Sequence, residues 1–148
     1  PRALGVALAS DIGWRTTFER EGQGFSARYE DARSVPPRSY CWTGARAARM
    51  LTIGKSGVVS LCVRTPADVP FYRDPPRVTV RFDNAVVHEF LLPRSAAEWV
   101  HETVMQDPSR AGQRGVLSVE VSRLSPVRMR GSVRRRHAGM AMAEVVTE

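Results

Sequence analysis

The chain has little cysteine, almost no lysine and no long apolar run, and each shortage removes a class of explanation. Cys41 and Cys62 are its 2 cysteines. Neither belongs to a Cys-x-x-Cys pair, and no histidine stands at a metal-ligand spacing from them, so no metal site is expected. Cys62 lies in the apolar run "VVSLCVR", where a buried free thiol is the usual state. A Cys41–Cys62 disulfide stays open for an oxidising compartment. With 148 residues, 43% of them hydrophobic, one domain can bury a core without covalent staples. No apolar stretch approaches the roughly 18 residues of a membrane helix, so no membrane insertion is expected of this segment. The start has no basic region followed by an apolar stretch, and so does not read as a signal peptide. It begins at Pro1 without an initiator methionine, and reads as a piece of a longer protein.

Signatures of catalysis are equally scarce. There is no Gly-x-Ser-x-Gly elbow, and neither cysteine has the surroundings of a nucleophile. "GQGFSARYEDARS" has glycines but no phosphate-loop lysine followed by Ser or Thr. His88, His101 and His137 are scattered, and the 15 carboxylates form no legible pair. Glu30 with Asp31, and Asp83 with Asn84, are sparse calcium candidates. The expectation is a domain with no catalytic residues and no cofactor.

Lys55 is the only lysine among 22 basic residues, and the net charge is +7. A GC-rich genome explains such a bias, and so does a phosphate-binding surface, because guanidinium forks suit oxyanions. A binding patch should be local. The one concentration is residues 122–143, with Arg123, Arg128, Arg130, Arg134, Arg135 and Arg136 and no acid. It lacks the interleaved aromatics that base stacking needs, so no nucleic-acid partner is expected.

What is present has the period of strands. "ARMLTIGKSGVVSLCVR" reads as two strands around a Gly-rich turn, with Val59, Leu61 and Val63 on one face. "RVTVRFDNAVVHEFLL" reads as a hairpin: Val78, Val80 and Phe82 alternate, and a three-residue loop from Asp83 to Ala85 would return the chain with Val86, His88, Phe90 and Leu92 on the same face. "GVLSVEVSRL" puts Leu117, Val119 and Val121 inward, with Ser118, Glu120 and Ser122 outward. "SAAEWVHETVM" is expected to be a strand or irregular edge, with one helical turn after Ser95. Most of the 10 prolines fall between these segments. Seven to nine short strands with regular turn signals predict an all-β, antiparallel, jelly-roll-like sandwich with little helix, formed by residues 1–148 as one domain.

The two ends echo each other. Residues 2–12 and 136–146 agree at Arg2/Arg136, Gly5/Gly139, Ala7/Ala141 and Ala9/Ala143, with Val6 and Leu8 answered by Met140 and Met142. Both are strands of one sandwich, with the bulky parity inward, or residues 1–12 are the closing strand of a preceding module, or four identities in eleven positions are a chance match. Trp14, Tyr40, Trp42, Tyr72 and Trp99 are the glycan-binding candidates, since the apolar face of a pyranose stacks on an aromatic plane. Against that stands ordinary core packing of large rings. Trp42, between a Pro-rich loop and the "ARMLTI" strand, is expected to act mainly as an aromatic lid over the core.

The order "RSYCWTGARAARMLTI", "VTVRFDNAVVHEFLL", "GVLSVEVSRLSP", "RRHAGMAMAEV" resembles the β-sandwich accessory domains of bacterial polysaccharide-assembly and glycosyltransferase proteins. In those domains a Trp-Thr motif precedes a strand, then come a hairpin with an Asp-Gly-like turn, an L-x-V-S strand and a D-x-R-x-L-G-V closing strand. The resemblance spans about residues 13–147, with matches at Trp42, Thr43, Asp83, Leu117, Val119, Ser122, Arg136 and Gly139. Asn84 stands where the family has glycine, and Arg134 where it has an acid, so any salt bridge or metal contact made by that acid does not carry over. The resemblance implies a non-catalytic, carbohydrate-binding-like module in the cell envelope. It implies as partners a glycan and an enzyme domain of the same longer protein, and it favours residues 1–12 as the tail of an upstream module.

Overall fold

The computed structural model describes residues 23–25, 29–31, 38–128 and 135–148. The echo at residues 1–12, Trp14 and Arg134 lie outside the described residues. The elements are β1 (Gln23–Phe25), β2 (Tyr29–Asp31), β3 (Arg38–Thr52), β4 (Val58–Arg64), β5 (Arg77–Phe82), β6 (Ala85–Leu91), β7 (Val100–Gln106), β8 (Arg114–Val121), β9 (Ser125–Arg128), β10 (Arg135–Ala138) and β11 (Ala141–Thr147). The only helical turn among the described residues is a 3-10 turn at Pro108–Arg110, capped by the Asp107 carboxylate. The fold is all-β and antiparallel, as the alternation predicts.

Seven strands run in the order β6-β5-β8-β3-β11-β4-β7, and β1 and β2 pair with β3 as well. The 15-residue β3 carries the chain from one half of the sheet to the other. Its first part pairs with β11, Trp42 opposite Ala141, and its last part with β8, from Arg46 opposite Glu120 to Thr52 opposite Arg114. The sheet therefore bends over at Thr43 and Gly44, and its halves face each other across one core, with the strand-switching corner typical of folded-over sheets. The outer strands β6 and β7 close the shape to a near-barrel, meeting through side chains rather than a hydrogen-bonded ladder.

The corner is held by Thr43 and Gly139. Thr43 N donates to Met140 O (2.8 Å), Gly139 N donates to Thr43 O (2.8 Å), and Met140 N donates to Thr43 Oγ1 (3.2 Å). A Cβ on Gly139 would lie 2.5 Å from Gly44 O, so only glycine permits this approach. The Trp-Thr and closing-strand glycine seen in the sequence are thus two sides of one joint.

The core takes the strand parities read from the sequence. Val59, Leu61 and Val63, Val78, Val80 and Phe82, Leu117, Val119 and Val121, and Met140 and Met142 all enter one cluster. Burying each such side chain contributes about 1.5–3 kcal/mol. Cys41 joins this cluster, while Cys62, of opposite parity to its neighbours, lies on the outer face; both are buried, and they form no disulfide.

Three expectations about the turn and the outer faces are revised. The hairpin loop has two residues, not three: Phe82 pairs with Ala85, and Asp83 and Asn84 take φ of 50° and 69°. These values suit the mirror-image turn that matches strand twist. Asp83 Oδ1 accepts from Val116 N at 2.8 Å and locks it. Parity is restored by a bulge, for Val80 pairs with His88 but Arg81 with Val86; Val87 is the extra residue. Val87 and Phe90 consequently pack on the core, and Leu92 is buried, while Val86 is 53% exposed. On β8, Ser118 faces outward as expected yet is buried, because both edges of its strand are paired and neighbours crowd the outer face. The Gly/Ala face of the closing strand is also covered: Ala138 and Ala141 pack with Trp42 and Val127 in a second cluster, beneath the β9–β10 hairpin. "SAAEWVHETVM" forms β7, preceded by a turn in which Glu98 N donates to Ser95 O (3.3 Å). No helix of the described residues is long and apolar enough to cross a membrane.

Candidate functional site

Three of the candidate aromatics meet at one end of the molecule. Tyr40 and Trp42 share a face of β3, Tyr29 on β2 sits opposite Tyr40, and Trp99 immediately precedes β7. Tyr40 meets Trp42 edge-on (centroids 5.4 Å, 86°) and lies 5.7 Å from Trp99 and 6.1 Å from Tyr29. The hub is a residue that sequence reading missed. Arg64, the last residue of β4, holds its guanidinium carbon 5.4 Å from the Tyr40 ring, 5.8 Å from Trp42 and 5.1 Å from Trp99. Each such contact is worth roughly 0.5–2 kcal/mol, more as water is excluded. Arg64 Nη1 also donates to Ala96 O at 2.7 Å, and Trp99 Nε1 donates to Asp31 Oδ2 at 2.9 Å. Burial pushes the Tyr40 phenol above its usual range, with Arg64 opposing it. Trp42 is only 6% exposed, so this cluster is chiefly a packed joint; Trp42 lies within β3 and packs with Val127, Ala138 and Ala141 in the second cluster, not as a lid over the main core.

The fourth described candidate, Tyr72, stands apart from that joint. It is 80% exposed, and its neighbour Phe71 is 90% exposed. The two rings meet edge-to-face at 5.8 Å and 80°. They ride on the loop between β4 and β5, and that loop is pinned from below. Arg94 Nη1 donates to Pro70 O (2.7 Å) and Arg73 O (2.8 Å), so one guanidinium clasps both ends of the aromatic turn. Val69 N donates to Arg94 O (2.8 Å), and Asp68 Oδ1 accepts from Ala96 N (2.7 Å). Ala96 therefore links the exposed loop to Arg64 and the aromatic joint. Sequence reading singled out Tyr72 but passed over Phe71, its neighbour, and Arg94, whose bonds to Pro70 O and Arg73 O span 24 and 21 residues.

Neither a family model nor a curated protein sequence matches the chain.

A concavity lies at the seam between β6 and β7. It is a groove of about 410 Å³ lined by Val87, His88, Thr103, Val104, Met105 and Gln106, among others. His88 Nε2 lies 2.7 Å from Glu102 Oε1 across the seam, and the His88 ring stacks on Phe90 at 5.8 Å. A third grouping lies on the outer face of β4, where Arg38 Nη1 is 3.3 Å from Cys62 Sγ and 3.5 Å from Glu144 Oε1. Burial pushes the Cys62 thiol up, and the Arg38 charge works against that rise.

Proposed function

We propose that the domain is a non-catalytic glycan-binding module, an accessory to a bacterial envelope-polysaccharide or glycosyltransferase protein, and that Tyr72 and Phe71 are its sugar platform. The observation that carries the reading is the exposed aromatic pair on a pinned loop. Two rings this exposed bury nothing in the domain itself, and a pyranose face offers them an apolar partner. The Arg94 clasp holds the turn before a ligand arrives, so little ordering entropy is lost on binding. Tyr40, Trp42 and Trp99 serve this reading as the joint beneath the platform, with Arg64 at its centre.

Titration calorimetry against envelope oligosaccharides chosen from a glycan array tests it. Binding that weakens at least about tenfold in Tyr72→Ala, with an unchanged melting temperature, is the expected result. A folded domain that binds no glycan on the array sinks it. The second reading is a protein-docking module that binds no sugar. It is favoured by one observation: Leu91, 54% exposed, and Val86 add bare apolar surface along β6, beside the strand that the aromatic loop feeds.

A further inference from the structure

Three potential metal ligands far apart in sequence fall into one row across the outer face of the sheet. Cys62 on β4 is paired directly with Glu144 on β11 on one side and with His101 on β7 on the other. Directly opposed residues on neighbouring strands carry Cβ atoms about 4.5–5.5 Å apart on the same face. The ligand atoms of Cys62, His101 and Glu144 all lie within 4.8 Å of one another. A tetrahedral zinc ion, with bonds of about 2.0–2.3 Å, needs ligand atoms roughly 3.5 Å apart. His101 and Glu144 are exposed, and small rotations of their side chains cover the difference while the paired backbones stay in place.

We infer that Cys62, His101 and Glu144 form a transition-metal site that takes Zn²⁺ with three protein ligands and one open, solvent-facing position. The donor set decides the class of ion. A thiolate with an imidazole selects zinc and similar borderline metals, whereas calcium and magnesium want oxygen alone. Binding replaces the Cys62 S–H bond by an S–Zn bond and releases that proton to solvent. The ion would clip β11, β4 and β7 together, stabilising the half of the sheet that ends at the open seam.

Arg38 marks both the attraction of the site for a cation and the competition a metal meets there. Its guanidinium touches Cys62 Sγ and Glu144 Oε1, two of the three ligands. It sits at the first position of β3 and is partly exposed, so it can swing into water when the ion enters. Metal and Arg38 therefore exclude each other.

The test is a Co²⁺ titration of the 148-residue chain, chelator-treated and kept reduced, followed by absorbance. The expected result is one equivalent of Co²⁺ with a sulfur-to-metal charge-transfer band in the near ultraviolet, displaced by Zn²⁺. The band should vanish in Cys62→Ser, and binding should weaken at least about tenfold in His101→Ala, a surface change that leaves the fold intact by circular dichroism. Arg38→Ala should bind more tightly. Absence of the band in the unmodified chain overturns the inference, as does a band that survives Cys62→Ser or is indifferent to His101→Ala.

Discussion

At the scale of single residues, the structure separates two kinds of aromatic that look alike in the sequence. Trp42 is buried against Val127, Ala138 and Ala141, whereas Tyr72 is exposed. Truncating a buried ring costs about 3–5 kcal/mol. Trp42→Ala should therefore lower the melting temperature by roughly 10 °C in a thermal scan. Tyr72→Ala should change stability by no more than about 0.5 kcal/mol. Tyr40 adds a pH signature. Burial is the chief reason that its phenol holds its proton above the ordinary tyrosine value of 10.0 in the folded state. The folded state then holds its phenol proton more tightly than the unfolded state does, so its contribution to stability is complete below pH 10.0 and is lost as pH rises through the folded value. Denaturation at increasing alkaline pH should show that loss, and Tyr40→Phe, which has no proton to give up, should flatten it.

At the scale of elements, the β5–β6 hairpin shows how a turn can overrule a pattern and leave the core unharmed. The Asp83–Asn84 turn is set by its positive φ values and by the Asp83 bond to Val116 N, and a bulge at Val87 then repairs the facing of β6. Asn tolerates the left-handed region, but glycine occupies it freely. Asn84→Gly should stabilise the domain by a few tenths to about 1 kcal/mol, read as a higher midpoint with unchanged slope in urea. The closing strand teaches the converse. Its small-residue parity reads as a solvent face, yet Ala141 is wholly buried between β3 and the β9–β10 hairpin. Ala141→Asp should therefore prevent folding as surely as Met142→Asp, since each buries an unpaired carboxylate. Soluble yield and the near-ultraviolet dichroism of the two variants check this.

At the scale of the whole molecule, the near-barrel has one weak line. Every strand from β5 through β4 is paired on both edges, whereas β6 and β7 meet through side chains such as His88 and Glu102. Local opening favours edges with few backbone partners. Native-state hydrogen exchange should release amides on the free edges of β6 and β7 before those of β8, β3, β11 and β4. Glu102→Ala should speed exchange along the seam while costing no more than about 1 kcal/mol globally, the usual ceiling for a partly exposed pair.

Alternation of apolar and polar residues, with proline and glycine between the runs, by itself determined that the chain is antiparallel β, and which residues of β4, β5 and β8 face the main core. It did so because a strand's side chains alternate with period two whatever lies across from them. The resemblance, not the alternation, flagged Trp42, Thr43 and Gly139 together, and it did not show that they meet. Only the tertiary structure decided what the outer faces do. Arg64 became the hub of Tyr40, Trp42 and Trp99, Arg94 the clasp of Phe71 and Tyr72, and Cys62 the neighbour of His101 and Glu144. Those groupings depend on strand order and register, which pair residues tens of positions apart, and no local spacing encodes such pairings.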